Sequence, residues 1–119
     1  MTHILTALAA VATLSVATQA SAHAHLQSSD PAANATVPAP KQLTLHFSEK
    51  LNPRFSGLAL TMPQMNDMAA RVKVSLGRDG MTMTATPSAP LGAGVYKVSW
   101  HAVAADTHHM EGAYTFTVR

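Results

Sequence analysis

Apolar and polar residues alternate along most of the chain beyond residue 42, which is the period of a half-buried β-strand. The clearest example runs from Leu43 to Phe47, where Thr44 and His46 separate three large apolar residues. The same pattern predicts strands at 58–62, 72–76, 81–86, 96–100 and 114–118, and a short strand around Leu26. Proline, glycine and aspartate separate these runs, and no segment has a sustained helical period. We therefore predict an all-β, Greek-key, immunoglobulin-like β-sandwich of about seven strands.

The beginning of the chain has a different pattern. Residues 4–16 are almost wholly apolar, a length that suits the apolar region of a secretory signal peptide better than a membrane span. Ala20-Ser21-Ala22 then offers a small–x–small cleavage site. We predict a signal peptide over 1–22 and one domain over 23–119, with no membrane span in the mature chain. An uncleaved N-terminal anchor or a buried helix is the alternative.

Composition excludes several classes of function. The chain has no cysteine, which excludes disulfides, zinc–thiolate sites, iron–sulfur ligation and thiol catalysis. Its net charge is only +2 and no run of Lys or Arg occurs, so we expect no nucleic-acid partner. Seven His and seven Met in 119 residues point instead to metal binding.

The first candidate site is the predicted mature N-terminus. A histidine at position one carries an α-amine and an imidazole on one residue, so His23 can chelate Cu(II) with two nitrogens. His25 permits a rival, square-planar mode with backbone nitrogens. The plain alternative is that both rings are solvated.

The second candidate is the carboxylate–imidazole pair of Asp106 and His108. On an extended segment, residues two apart point the same way, so the two side chains would meet. The pair could complete a site begun at His23. Taken alone, Asp106-Thr107-His108 also fits an ordinary polar loop. His109 and Met110, which follow directly, are further candidate ligands.

The third candidate is a methionine-rich segment. Met62, Met65 and Met68 recur among Pro, Gln, Asn and Asp, and thioethers are soft ligands that select Cu(I). Core packing is the alternative, above all for Met62, which continues a strand pattern. His46 and His101 occupy the outward phase of their strands, and solvated rings are expected there.

Several sequence blocks together resemble the CopC/PcoC family of periplasmic copper-resistance proteins. They are His23-Ala-His-Leu, Ser28-Ser-Asp-Pro-Ala, Leu45-His-Phe-Ser-Glu, Phe55-Ser-Gly, Gly94-Val-Tyr-Lys-Val-Ser-Trp, Asp106-Thr-His and Gly112-Ala-Tyr-Thr-Phe-Thr-Val. Their order and spacing match the family over nearly all of 23–119.

The resemblance implies a periplasmic β-sandwich that binds copper and is not an enzyme. It implies Cu(II) at His23, Asp106 and His108, and it adds Glu49 as a supporting ligand. It also implies Cu(I) at the methionine segment, which here has three methionines and no histidine. The implied partners are copper ions and copper-handling membrane or periplasmic proteins.

Two other functions compete with a copper carrier. An N-terminal histidine with a second imidazole also resembles the copper brace of polysaccharide monooxygenases, which would make the protein an oxidoreductase. The other is a metal-free sandwich that serves protein contacts.

Overall fold

The computed structural model describes residues 25–119. The predicted signal peptide at 1–22 and the candidate ligand His23 lie outside the described residues. Residues 25–119 contain nine strands and one 3-10 turn: β1 (Leu26–Asp30), β2 (Thr36–Val37), β3 (Leu43–Phe47), β4 (Gly57–Met62), the 3-10 turn (Pro63–Met65), β5 (Met68–Ala70), β6 (Val72–Leu76), β7 (Thr82–Pro87), β8 (Gly94–Val103) and β9 (His109–Val118).

The strands form the two sheets of a β-sandwich, which confirms the predicted fold class. One sheet has the order β1-β3-β7-β6, and the other has the order β2-β9-β8-β4-β5. All neighbouring pairs are antiparallel except β2 with β9. The chain passes repeatedly from one sheet to the other, as in a Greek-key sandwich.

The core lies between the sheets and is built from the inward phase of each strand. Leu43, Leu45 and Met83 are fully buried, so the alternation read from the sequence has the correct phase. Tyr96 and Phe116 are cross-strand partners whose rings stack with centroids 5.6 Å apart. Burial of this apolar surface is the main force that holds the sheets together.

Three features differ from the prediction. β2 has only two residues, too few for a period to show. β5 begins at Met68, the last residue of the methionine segment, and pairs with β4. The β8–β9 hairpin is also longer than predicted, since β8 continues to Val103 and β9 starts at His109. The polar and small residues Glu111 and Gly112 hide this extension because they interrupt the apolar alternation. Within 25–119, no helix is long and apolar enough to cross a membrane.

Candidate metal centre

A tight turn at the end of β8 carries Asp106 and His108. The amide of Ala104 donates to the carbonyl of His108 at 2.9 Å, and the amide of Thr107 donates back to the carbonyl of Ala104 at 2.8 Å. Thr107 has a left-handed φ of +76°. The segment is therefore a turn and not the extended stretch that the sequence suggested, so that premise was wrong.

The two side chains nevertheless meet. Nδ1 of His108 lies 2.6 Å from Oδ2 of Asp106, and the His108 amide donates to Oδ1 at 3.2 Å. The contact with the His108 ring, followed by the bond from its amide, holds the pKa of Asp106 below its usual value. About half of each side chain is exposed, 50% for His108 and 52% for Asp106. An ionised carboxylate and an imidazole thus stand together at the protein surface.

The segment Ser48–Leu51 connects this turn with the start of the described chain. On one side, the amide of His25 donates to Oγ of Ser48 at 2.9 Å, and the Ser48 amide donates to the carbonyl of His25 at 3.0 Å. On the other side, the amide of Ala105 donates to the carbonyl of Lys50 at 3.0 Å.

Leu51 adds an isolated β-bridge to Ala104, the residue that follows β8, and this strengthens the second attachment. His25 and the Asp106–His108 turn are therefore fastened to the same short segment. Glu49, the supporting candidate, belongs to this segment and is partly buried.

The described residues do not by themselves assemble a complete metal site. Among residues 25–119, no three His, Asp or Glu side chains stand close enough together to hold one ion. Asp106 and His108 are brought together, whereas His25 and Glu49 do not join them in a common group. The remaining predicted ligand, His23, lies outside the described residues.

The methionine segment forms a hairpin between β4 and β5. Met62 and Met68 are directly opposed in the ladder, and the 3-10 turn that contains Met65 lies between them. Met62 packs against the core, while Met65 and Met68 are 48% and 50% exposed. The hairpin closes through Asn66 and Asp67, both with left-handed backbone angles. Two of the three thioethers are thus presented to solvent, which a purely structural role would not require.

Two residues that position these candidates were not found from the sequence. The hydroxyl of Ser48 accepts a hydrogen bond from the His25 amide. In the sequence, Ser48 stands at the end of a strand pattern and nothing marks it as a positioning residue. The side chain of Gln64 reaches from the 3-10 turn to β8. With its amide oriented to satisfy both bonds, it donates to the carbonyl of Val95 at 2.9 Å and accepts from the backbone amide of Val95 at 3.3 Å. A Cβ at Gly94 would lie 2.7 Å from the side-chain amide of Gln64, so the glycine leaves room for this contact.

The other histidines lie on outward faces, as expected. His46 is exposed and its Nδ1 lies 3.3 Å from Oγ1 of Thr82. His101 is exposed on β8 and its ring lies over Gly57, with Cε1 3.2 Å from the position that a Cβ would take there.

Comparison with known proteins places this architecture in one family. The CopC domain matches residues 26–119. Copper resistance protein C of Escherichia coli is 45% identical over 112 residues, which cover 89% of each chain. The same-named protein of Pseudomonas syringae pv. tomato is 46% identical over 109 residues, covering 87% of this chain and 86% of the relative.

A solved structure extends the likeness to the fold. The crystal structure of PcoC, described as a methionine-rich copper resistance protein from Escherichia coli, superposes with a TM-score of 0.76 at 46% identity. It covers 82% of this chain and 100% of that chain. The chain therefore belongs to the CopC family.

Proposed function

We propose that this protein captures copper in the periplasm and carries it to a partner, without catalysing a reaction. Copper handling follows from membership of a family whose relatives are named copper resistance proteins. The observation that supports a specific site is the attachment of His25 and the Asp106–His108 turn to the same segment, Ser48–Leu51. The start of the described chain and the turn that pairs a carboxylate with an imidazole are thus attached to one short segment.

The proposed Cu(II) ligands are the α-amine and imidazole of His23 together with the imidazole of His108. His23 precedes His25 by two residues, so the chain keeps their Cα atoms within about 7 Å of each other. Because Nδ1 of His108 contacts the carboxylate of Asp106, a copper ion at this ring would be bound through Nε2. Three nitrogen donors of this kind suit Cu(II), which also heads the divalent affinity order.

Asp106 can act in one of two ways in this proposal. Its contact with Nδ1 orients the His108 ring and makes the other ring nitrogen a better donor, as carboxylates commonly do for metal-binding histidines. Direct ligation by Asp106, which the family resemblance implies, is the alternative. It requires the contact with Nδ1 to break, because an ion at Nε2 lies on the far side of the ring. His25 and Glu49 remain the alternative contributors, since Glu49 belongs to the segment Ser48–Leu51 and His25 is hydrogen-bonded to it.

The proposed Cu(I) site is the methionine hairpin. Thioether sulfur is a soft donor, and Met65 and Met68 expose about half of their surface beside Met62. The bond pattern of Gln64 with Val95 fastens the turn to the sheet and limits how far these sulfurs can separate. Hard and soft donors at separate places would let one small domain hold both oxidation states.

Exposure of the ligands supports carriage over permanent storage. The side chains of His108 and Asp106 are half exposed, so a partner's ligands can approach the ion before the old bonds have broken. A copper-handling protein of the periplasm or its bounding membranes is the proposed receiver. Turnover of an added reductant with cleavage of a polysaccharide would instead assign the protein to the oxidoreductases.

A Cu(II) titration of the protein processed to His23 tests the function. We expect one tight Cu(II) whose electron paramagnetic resonance spectrum shows nitrogen ligands. His108→Ala should weaken this binding strongly, whereas His46→Ala should not, because the His46 ring is directed to Thr82 on β7. Replacing Met65 and Met68 by Leu should weaken Cu(I) binding and spare Cu(II). Equal Cu(II) binding by His108→Ala and wild type would overturn the assignment.

A further inference from the structure

The outer face of the five-stranded sheet carries a second group of metal-binding side chains. His101 on β8 lies directly opposite Glu111 on β9 in the antiparallel ladder, and opposed residues project from the same face. His109 is two residues before Glu111 on the same strand, so it shares that face. All three are exposed. None of them is among the ligands proposed above for Cu(II) at His23 and His108 or for Cu(I), although His109 follows His108 directly.

These side chains line one concavity. His101, His109 and Glu111 surround a cavity of about 400 Å³ that Phe55 and Val103 also line. Phe55 is 57% exposed, although it is a large apolar residue, and Val103 is buried beside it. Two imidazoles and one carboxylate therefore border the same partly apolar surface pocket.

We propose that His101, His109 and Glu111 form a second, weaker Cu(II) site on the outer face of the sheet. Opposed side chains in a ladder start about 4.5–5.5 Å apart at Cβ, so an imidazole and a carboxylate can reach one ion across the two strands. The donor set of two imidazoles and a carboxylate suits Cu(II). This second site would form whether or not the α-amine of His23 binds Cu(II).

Binding requires the exposed side chains to turn toward each other. The ring of His101 lies over Gly57 on β4, where the missing Cβ gives it room, and not over β9. In the described part of the chain these three groups do not already converge on one point. Ordering three mobile side chains opposes binding, so this site should fill only after the tighter one.

Paramagnetic broadening in amide NMR spectra tests the proposal. Cu(II) broadens signals of nearby nuclei, so titration of the ¹⁵N-labelled protein beginning at His23 reports each site separately. We expect the first equivalent to broaden the amides of Asp106 and His108, and further Cu(II) to broaden those of Gly57 and His101. Because His109 adjoins the first site, its own amide is not a suitable reporter.

A double variant, His101→Asn with Glu111→Gln, supplies the decisive comparison. It should need about tenfold or more additional Cu(II) to broaden the Gly57 amide, whereas His46→Asn should behave as the wild type. All of these replacements are at exposed positions, and thermal unfolding checks that the variants remain folded. Absence of broadening at Gly57, or equal broadening in the double variant, would overturn the second site. Absence of the first-equivalent effect at His108 would instead count against the proposed function alone.

Discussion

The carboxylate of Asp106 contacts Nδ1 of His108 at 2.6 Å across Thr107, whose backbone lies in the left-handed region. A β-branched residue rarely adopts that conformation, so the surrounding hydrogen bonds must hold the turn. Those bonds come from the end of β8 and from Lys50. The fold therefore sets the contact between the two side chains.

Removing the charge of Asp106 should weaken Cu(II) binding without unfolding the turn. Asp106→Asn keeps an oxygen that can accept from the His108 ring but loses the negative charge that favours the bound ion. We expect the Cu(II) affinity to fall by about 10–100-fold, the usual effect of altering a group that orients a metal-binding histidine. Competition titration against a chelator of known affinity measures the change.

Asp67→Asn is the matched control for this charge. It removes a carboxylate from the methionine hairpin, and asparagine tolerates the left-handed backbone found there. Its Cu(II) affinity should equal that of the wild type. If both variants lose affinity equally, net charge and not the contact with His108 governs binding.

Gln64 should matter for Cu(I) and not for Cu(II). Gln64→Ala removes both bonds to Val95, so the turn with Met65 is no longer fastened to β8. We expect weaker Cu(I) binding, unchanged Cu(II) binding and a stability loss of about 1 kcal/mol, typical of one or two surface hydrogen bonds. Competition with a Cu(I)-specific chelator measures the first effect.

Gln42→Ala is the control for the loss of an exposed glutamine side chain. It lies just before β3, away from the methionine hairpin, and should leave Cu(I) binding intact. Unchanged Cu(I) affinity in Gln64→Ala would show that the methionines need no fixed turn.

A methyl group at Gly112 should disturb Trp100, the single tryptophan of the chain. The two residues are opposed in the β8–β9 ladder, and a Cβ at Gly112 would lie 2.6 Å from the indole ring. Gly112→Ala should therefore destabilise the fold by about 1–3 kcal/mol and shift the tryptophan emission. Gly92→Ala meets nothing within 4 Å and should leave both unchanged. Equal stability of the two variants would contradict the close contact.

Asp79 should make the stability of the fold depend on acid. Its carboxylate accepts bonds from the amides of Met81 and Thr82 and from the Thr82 hydroxyl, and these bonds hold its pKa below the ordinary value of 3.8. A carboxyl with a lowered folded-state pKa stabilises the fold above its unfolded-state pKa, and this contribution disappears as the pH falls through the folded-state value.

The variant Asp79→Asn isolates this contribution. At neutral pH it should melt at a lower temperature than the wild type, and the difference should shrink as the pH falls below about 4. Thermal unfolding followed by circular dichroism across this range makes the comparison. A difference that stays constant with pH would mean that the carboxylate charge has no part in holding the turn.

The sequence predicted the strands because burial and alternation are local properties. Leu43, Leu45 and Met83 follow the period of two and are fully buried. β5 could not be predicted, since its pairing depends on a tight turn that places Met68 opposite Met62. Residues with left-handed backbone, such as Asn66, give only weak local signals of such a turn.

The sequence predicted only part of the candidate site, because turns and contacts between distant segments leave weak local signals. Asp106 and His108 were identified as a pair, but the predicted cause, an extended segment, was wrong because their contact depends on a turn held by Lys50 and Ala104. The roles of Ser48 and Gln64 could not be predicted because their hydrogen-bond partners lie far along the chain. Contacts between distant segments do not follow from a periodic pattern.

Adding one alanine before His23 tests most directly whether the α-amine of His23 binds Cu(II). The extension moves the amine away from the imidazole and leaves residues 25–119 unaltered. We expect the Cu(II) affinity to fall by more than the roughly 10–100-fold expected for a residue that only orients a ligand. An alanine added after Arg119 should have no effect. Equal Cu(II) affinity in the extended and the processed protein would contradict binding through the α-amine.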